Sequence, residues 1–151
     1  MKVSAKSDYA IRAAVHIAAA NGSRVKAEEL AAAAGIPRQF LENILAELRR
    51  GGVVRARRGS EGGYELARPP TEIDVGMVLA AIGSPLADEP GAPGAGEPGL
   101  PVQPVQDVWL ALRSSTRTLL ERVTLADLVS GSLPDDVRLL AREERLRQTG
   151  V

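Results

Sequence analysis

Apolar residues recur at three- and four-residue steps along residues 8–20, where Tyr9, Ile11, Ala14, Val15 and Ala18 share one side, with Ser7 before and Gly22 after as capping residues. That spacing predicts an amphipathic helix. Residues 27–34 (AEELAAAA) predict a second, short helix ended by Gly35, and Pro37 is placed to open a third that runs to about Arg50. The third helix is expected to bury Phe40, Leu41, Ile44, Leu45 and Leu48, leaving Arg38, Gln39, Glu42, Asn43 and Glu47 on a polar, long-armed face. After Gly51-Gly52 the period falls to two. Val54 and Ala56 alternate with Arg55 and Arg57, and Tyr64 and Leu66 answer beyond Gly62-Gly63, which predicts a hairpin with its tip at 58–63, ended by Pro69-Pro70. Helix, short helix, turn, helix and hairpin make a winged helix-turn-helix over residues 1–70.

Asp74 can cap a short linking helix, Val75 to Ile82, within residues 71–86, stopped by Gly83 and Pro85. Residues 87–105 hold five prolines and four glycines, so a loop is expected there. Beyond it a helix over Gln106–Arg122, about 25 Å long at about 1.5 Å per residue, opens a dimerisation region at 106–130. Its apolar stripe of Val108, Trp109, Leu112, Leu119 and Val123 calls for a partner surface, because a small winged domain cannot cover it alone. Trp109 fits a dimer-core anchor, the other possibility being the wall of an effector pocket beside residues 75–82. TLADLV at 124–129 predicts a short helix, and residues 131–151 a C-terminal helix and tail with acids first and bases last. The fold class expected is α+β: a mostly helical winged helix-turn-helix with a long C-terminal dimerisation helix.

Composition sharpens this picture in three ways. The chain of 151 residues is neutral overall, with 19 basic and 19 acidic residues, but residues 1–72 carry 12 Lys/Arg against 8 Asp/Glu and the remainder 7 against 11. The basic working surface is therefore expected at the N-terminal end. No cysteine is present, which excludes disulfides, thiolate metal sites and cysteine-held iron–sulfur clusters. Aromatics are scarce, so the core must come from Ala, Leu, Val and Ile, packed helix on helix. No export signal and no 18-residue apolar run is visible, so a cytoplasmic protein without membrane contact is expected.

Catalysis and metal binding find little support. His16 is the single histidine, without a second soft ligand, and Asp88, Glu89 and Glu97 lack the spacing of a cation loop. Ser114, Ser115 and Thr116 have no histidine base nearby. An enzyme is not expected, nor a cofactor.

Four stretches carry a resemblance: K-x-x-Y-A-I-R-A at Lys6–Ala13, G-I-x-x-x-F-L-E-x-I-L-x-x-L-R at Gly35–Arg49, R-G-x-x-G-G-Y-x-L-A at Arg58–Ala67 and T-L-A-D-L at Thr124–Leu128. Over about residues 2–83 and 106–129 the chain resembles the Rrf2 family of bacterial transcriptional regulators. The resemblance implies a homodimer whose long helices cross, with one winged domain on each side of a palindromic duplex operator. It implies that Gln39, Glu42 and Asn43 approach base edges and that Arg58 enters the minor groove. Ser60 and Glu61 depart from the family's usual Pro and Gly at the wing tip. Many members carry an iron–sulfur cluster on three cysteines before the long helix, so this chain resembles the cluster-free branch, which responds to a small-molecule or protein effector.

The function expected is a dimeric, sequence-specific DNA-binding regulator, with repression as the expected sense. Lys2, Lys6, Tyr9, Arg38, Arg55 and Arg57 are the expected phosphate contacts. A winged helix also serves as a module that docks an enzyme or other protein without operator binding, and Glu42, Glu47 and Glu61 suit that alternative. Arg58 at a glycine-flanked tip favours DNA.

Overall fold

The computed structural model describes residues 3–87 and 102–150. Helix α1 (Ala5–Ala19) is the hub. Its N-cap is Ser4, whose Oγ accepts from the Ser7 backbone N–H at 3.0 Å, rather than Ser7 itself. Ser7 instead lies buried inside the first turn, its Oγ 3.0 Å from that of Ser84. The face of α1 made by Ala10, Ala13, Ala14, Ile17 and Ala18 is buried, and α2 (Ala27–Ala34), α3 (Arg38–Arg50), α4 (Val75–Ala81), α6 (Leu125–Ser130) and the second strand all pack against the helix. Methyl side chains let several elements approach one helix closely, which a core poor in aromatics requires.

α2 and α3 are joined through Gly35, in the left-handed region at φ 64°, with the Ile36 N–H returning to Ala31 O at 3.0 Å. β1 (Val54–Arg57) and β2 (Gly63–Leu66) pair antiparallel in the register Val54↔Leu66, Arg55↔Glu65, Ala56↔Tyr64 and Arg57↔Gly63. Val25, between α1 and α2, adds a third rung: its N–H donates to Tyr64 O at 2.9 Å and its carbonyl accepts from the Tyr64 N–H at 2.8 Å. The wing is thereby stitched to the helix-turn-helix rather than hanging from α3.

After a 3-10 turn at Pro70–Glu72, Asp74 caps α4, its Oδ1 accepting from the Met77 N–H at 2.8 Å. Residues 73–75 lie beside 123–125, with Val75 N–H donating to Val123 O at 2.9 Å and Leu125 N–H to Ile73 O at 2.8 Å. This clasp corrects one expectation: Val123 is 6% exposed and belongs to the chain's own core, because the helical stripe ends one residue earlier at Arg122. The long helix α5 (Val102–Arg122) begins inside the stretch expected to be loop. Pro104 falls in its first turn, where the backbone N–H has no intrahelical acceptor to lose. α7 (Asp135–Thr149) closes the chain without a buried residue, tied to α5 by the Arg122–Asp136 ion pair at 2.9 Å.

Two glycines set how α4 is held. A Cβ on Gly76 would stand 3.6 Å from Leu120 Cβ and 3.6 Å from Glu121 Cγ, so α5 lies close over α4. At Gly51, which follows α3, a Cβ would fall 2.4 Å from Ala81 Cβ and 2.9 Å from Ala81 Cα. Gly51→Ala must therefore push α3 and α4 apart, and should lower the unfolding free energy by about 1–3 kcal/mol in urea or thermal denaturation. An unchanged midpoint would show that this contact yields without cost.

The capping box of α6 generates a pH prediction. Asp127 Oδ2 accepts from the Thr124 backbone N–H at 2.8 Å and from the Thr124 hydroxyl at 2.8 Å, while Thr124 Oγ1 accepts from the Asp127 N–H at 3.2 Å. The backbone bond first, and then the hydroxyl, hold this carboxyl below its ordinary value of 3.8. A depressed folded-state value means that the stabilisation is complete above about pH 4 and is lost as the pH falls through the lower value. Asp127→Ala should thus reduce the melting temperature at neutral pH, and the gap to the parent should narrow toward pH 3. A gap independent of pH would assign the effect to helix propensity alone.

Candidate nucleic-acid interface

Helix α3 buries Leu41, Ile44, Leu45 and Leu48 on one side. At about 100° per residue the opposite stripe is Gln39, Asn43, Ala46 and Arg50, with Glu42 beside it, and all five are exposed. Gln39, Glu42 and Asn43 thus stand together on the outward face, as expected. Phe40 does not belong to the core: it is 59% exposed on the flank of α3, its ring 6.4 Å from that of Tyr9 in an edge-to-face arrangement. At about 100° per residue Phe40 falls beside the face centred on Leu41, Ile44, Leu45 and Leu48 rather than within it. Tyr9 is held by this contact at the edge of the same surface.

Arg38 bridges the two helices of the helix-turn-helix, 2.8 Å from Glu28 Oε1 on α2 and 3.1 Å from Glu42 Oε1 on α3. The hydrogen bond to Glu42 first, and then the charge of Glu28, raise its pKa above the ordinary arginine value. A phosphate reaching Arg38 would have to compete with two carboxylates. Lys6, one of the expected phosphate contacts, is engaged within the fold. Its Nζ lies 2.8 Å from Glu47 Oε2 and donates to the Ile82 carbonyl at 2.9 Å, joining α1 to α3 and to the end of α4. Lys2 falls outside the described residues.

On the wing the register separates the arginines. Arg55 faces Glu65 across the strands, with Nη2 3.9 Å from Oε1, whereas Arg57 faces Gly63, which offers no carboxylate. Arg57 and Arg58 are exposed and have no ion-pair partner among the described residues. Arg57 lines a cleft of ≈ 380 Å³ between the wing and the start of α2, together with Lys26, Glu28 and Tyr64. Arg50 and Lys26 were not singled out from sequence. The first could have been found by extending the 39–43 stripe for two more turns, whereas the second becomes adjacent to the wing only through the Val25–Tyr64 rung.

Donor chemistry rules out thiolate ligation of an iron–sulfur cluster. The sequence has no cysteine, and no group of three His, Cys, Asp or Glu side chains able to hold a metal occurs among the described residues. A thiolate-held cluster does not fit this chain. Asp88, Glu89 and Glu97 lie outside the described residues.

Comparison with known proteins agrees with the geometry. A family model described as Rrf2, iron-dependent transcriptional regulator, matches residues 3–131. A protein of Mycobacterium tuberculosis named as an HTH-type transcriptional regulator is 49% identical over 151 residues, covering 99% of this chain and 94% of the relative. Among solved structures, T. potens IscR superposes with a TM-score of 0.70 at 29% identity, covering 87% of this chain and 88% of that one. CymR, the global cysteine regulator of Bacillus subtilis, gives 0.70 at 25% identity, with 86% and 97% covered. With α3 presenting its polar stripe, the wing stitched beside it and the match running from residue 3 to 131, the chain belongs to the Rrf2 family of winged-helix transcriptional regulators.

Proposed function

We propose that two copies of this chain bind a palindromic duplex operator, each laying α3 in a major groove and its wing in the adjacent minor groove. The observation that carries this reading is the outward stripe of α3, with Gln39, Glu42 and Asn43 exposed opposite the buried leucines, beside a wing that carries Arg57 and Arg58, without ion-pair partners among the described residues. Amide and carboxylate groups on a helix of this kind match the donor and acceptor edges of bases in the major groove. Arg58 on a glycine-flanked tip suits a narrow minor groove. Tyr9, Arg55 and Arg57 rest on phosphates, and Arg38 joins them when a phosphate displaces Glu28 or Glu42.

Dimerisation is supported by α5, where Val105, Val108, Trp109, Leu110 and Leu112 are more than half exposed and Leu119 is 37% exposed. A second copy crossing this helix would remove that surface from water, worth about 25 cal/mol per Å² of apolar area. The dimer acts in the bacterial cytoplasm as a repressor, released by a small-molecule or protein effector rather than by cluster chemistry. Docking of an enzyme without operator binding has less support, since a glycine-flanked arginine tip suits insertion into a narrow groove.

Replacing both Leu112 and Leu119 with Asp should yield monomers by light scattering. A persisting dimer would place the interface elsewhere.

Duplexes retained by the purified protein from genomic fragments identify the operator, and titrations at two salt concentrations then separate the roles on α3 and the wing. Gln39→Ala or Asn43→Ala should cost about 1–3 kcal/mol on the operator and little on scrambled duplex. Arg57→Ala should weaken both duplexes alike and reduce the salt slope by about 0.9. Equal losses on both duplexes for Gln39 and Asn43 would remove base reading from α3.

A further inference from the structure

The wing must be aimed before its arginines can be used, and a two-stranded hairpin alone is too weak to hold an attitude. Its tip belongs to a loop with Gly59 at φ 108° and Gly63 at φ 146°, closed by a single hydrogen bond from the Gly62 N–H to Gly59 O at 2.9 Å. One side chain from outside the wing reaches both its tip and its second strand. Arg24, in the segment between α1 and α2, donates from Nη1 to the Glu61 carbonyl at 3.0 Å, and its Nε stands 3.6 Å from Glu65 Oε2. The Arg24 Nε is buried and makes no hydrogen bond, so its nearby carboxylate compensates it by charge rather than by a formed bond. The backbone seats are equally close. A Cβ on Gly63 would meet Val25 O at 2.8 Å and Arg24 Cβ at 3.2 Å.

From this arrangement we propose that Arg24 is a positioning residue for DNA specificity: a strut that fixes the angle of the wing tip, and with it the placement of Arg58, without itself touching the duplex. The proposal rests on the DNA-binding reading above and adds a determinant outside both the recognition helix and the wing. A guanidinium suits this role because its planar fork offers donors along two directions, toward a carbonyl at the tip and a carboxylate on β2. A lysine has one point of charge and can serve one of the two. Glu65 divides between Arg24 at 3.6 Å and Arg55 at 3.9 Å, so losing Arg24 also hands the carboxylate to Arg55 and turns the strand pair inward on itself.

Two measurements test it. In the free protein, amide hydrogen exchange at Val25, Gly62 and Tyr64, whose N–H groups carry the bonds that seat the wing, should accelerate about fivefold in Arg24→Ala, with Arg24→Lys intermediate and the amides of α3 unchanged. On the duplex most enriched by the wild-type protein from a random pool, Arg24→Ala should cost about fivefold in affinity. Arg58→Ala should cost far less in the Arg24→Ala background than in the parent, whereas Gln39→Ala should cost the same in both. Uniform acceleration of exchange through α3, or unchanged exchange at the wing, overturns the strut. Independent losses for Arg24 and Arg58 overturn its role in specificity even if exchange responds. If the wild-type protein enriches no duplex, the DNA-binding reading fails together with the specificity role, and the exchange experiment alone decides the mechanical one.

Discussion

Everything in this fold depends on how closely its elements can approach α1. Ala10, Ala13 and Ala14 are fully buried at its centre, and each offers a methyl group where a larger side chain would hold neighbours apart. Against this one helix lie α2, α3, α4, α6 and β2, so the winged half and the half leading to α5 share a wall. The same principle is repeated at smaller scale where Gly51 meets Ala81 and where Gly76 admits Leu120. Such a core has few large side chains to rearrange, so displacement of one element is transmitted to its neighbours as a shift of whole helices.

Electrostatics then divide the basic residues into two populations. Lys6, Arg24, Arg38 and Arg55 each sit beside a carboxylate of another element or strand, and they hold the winged domain together as much as they charge it. On the wing, Arg57 and Arg58 have no ion-pair partner among the described residues. A chain of zero net charge can still present a concentrated positive tip in this way, because neutralisation is local and the wing register puts glycine rather than glutamate opposite Arg57. A cation already facing a carboxylate must give up part of that pairing to take a phosphate, whereas one without a partner need not.

Much of this was legible in the sequence, for reasons specific to each element. α2 ends where Gly35 says it must, Asp74 caps α4, and the arginine alternation over 54–57 forms the first strand of the wing. These are local signals, decided within a few residues. The departures all needed information from farther along the chain. Ser4 rather than Ser7 caps α1 because Ser84 claims the Ser7 hydroxyl; Phe40 meets Tyr9 of α1 outside the core; Lys6 is taken by Glu47 and Ile82. Arg24 carries no periodicity at all, and its neighbours Glu61 and Glu65 come near only once Val25 pairs with Tyr64. Val123 lies on the helical stripe of α5 by spacing, yet the chain leaves the helix just before it and turns it inward.

The clasp between residues 73–75 and 123–125 has a consequence for how such a protein can change over evolutionary time. With Val75 bonded to Val123 and Ile73 to Leu125, the two ends of the α4–α5 segment are joined at one point, while α4 itself stays packed on the core. Lengthening a segment whose ends are joined costs only about 0.6 kcal/mol per doubling of its free portion. Changes of length between α4 and α5 therefore leave both joined ends where they are. The winged half can keep its geometry through such changes, because the clasp fixes where the chain departs and where it returns.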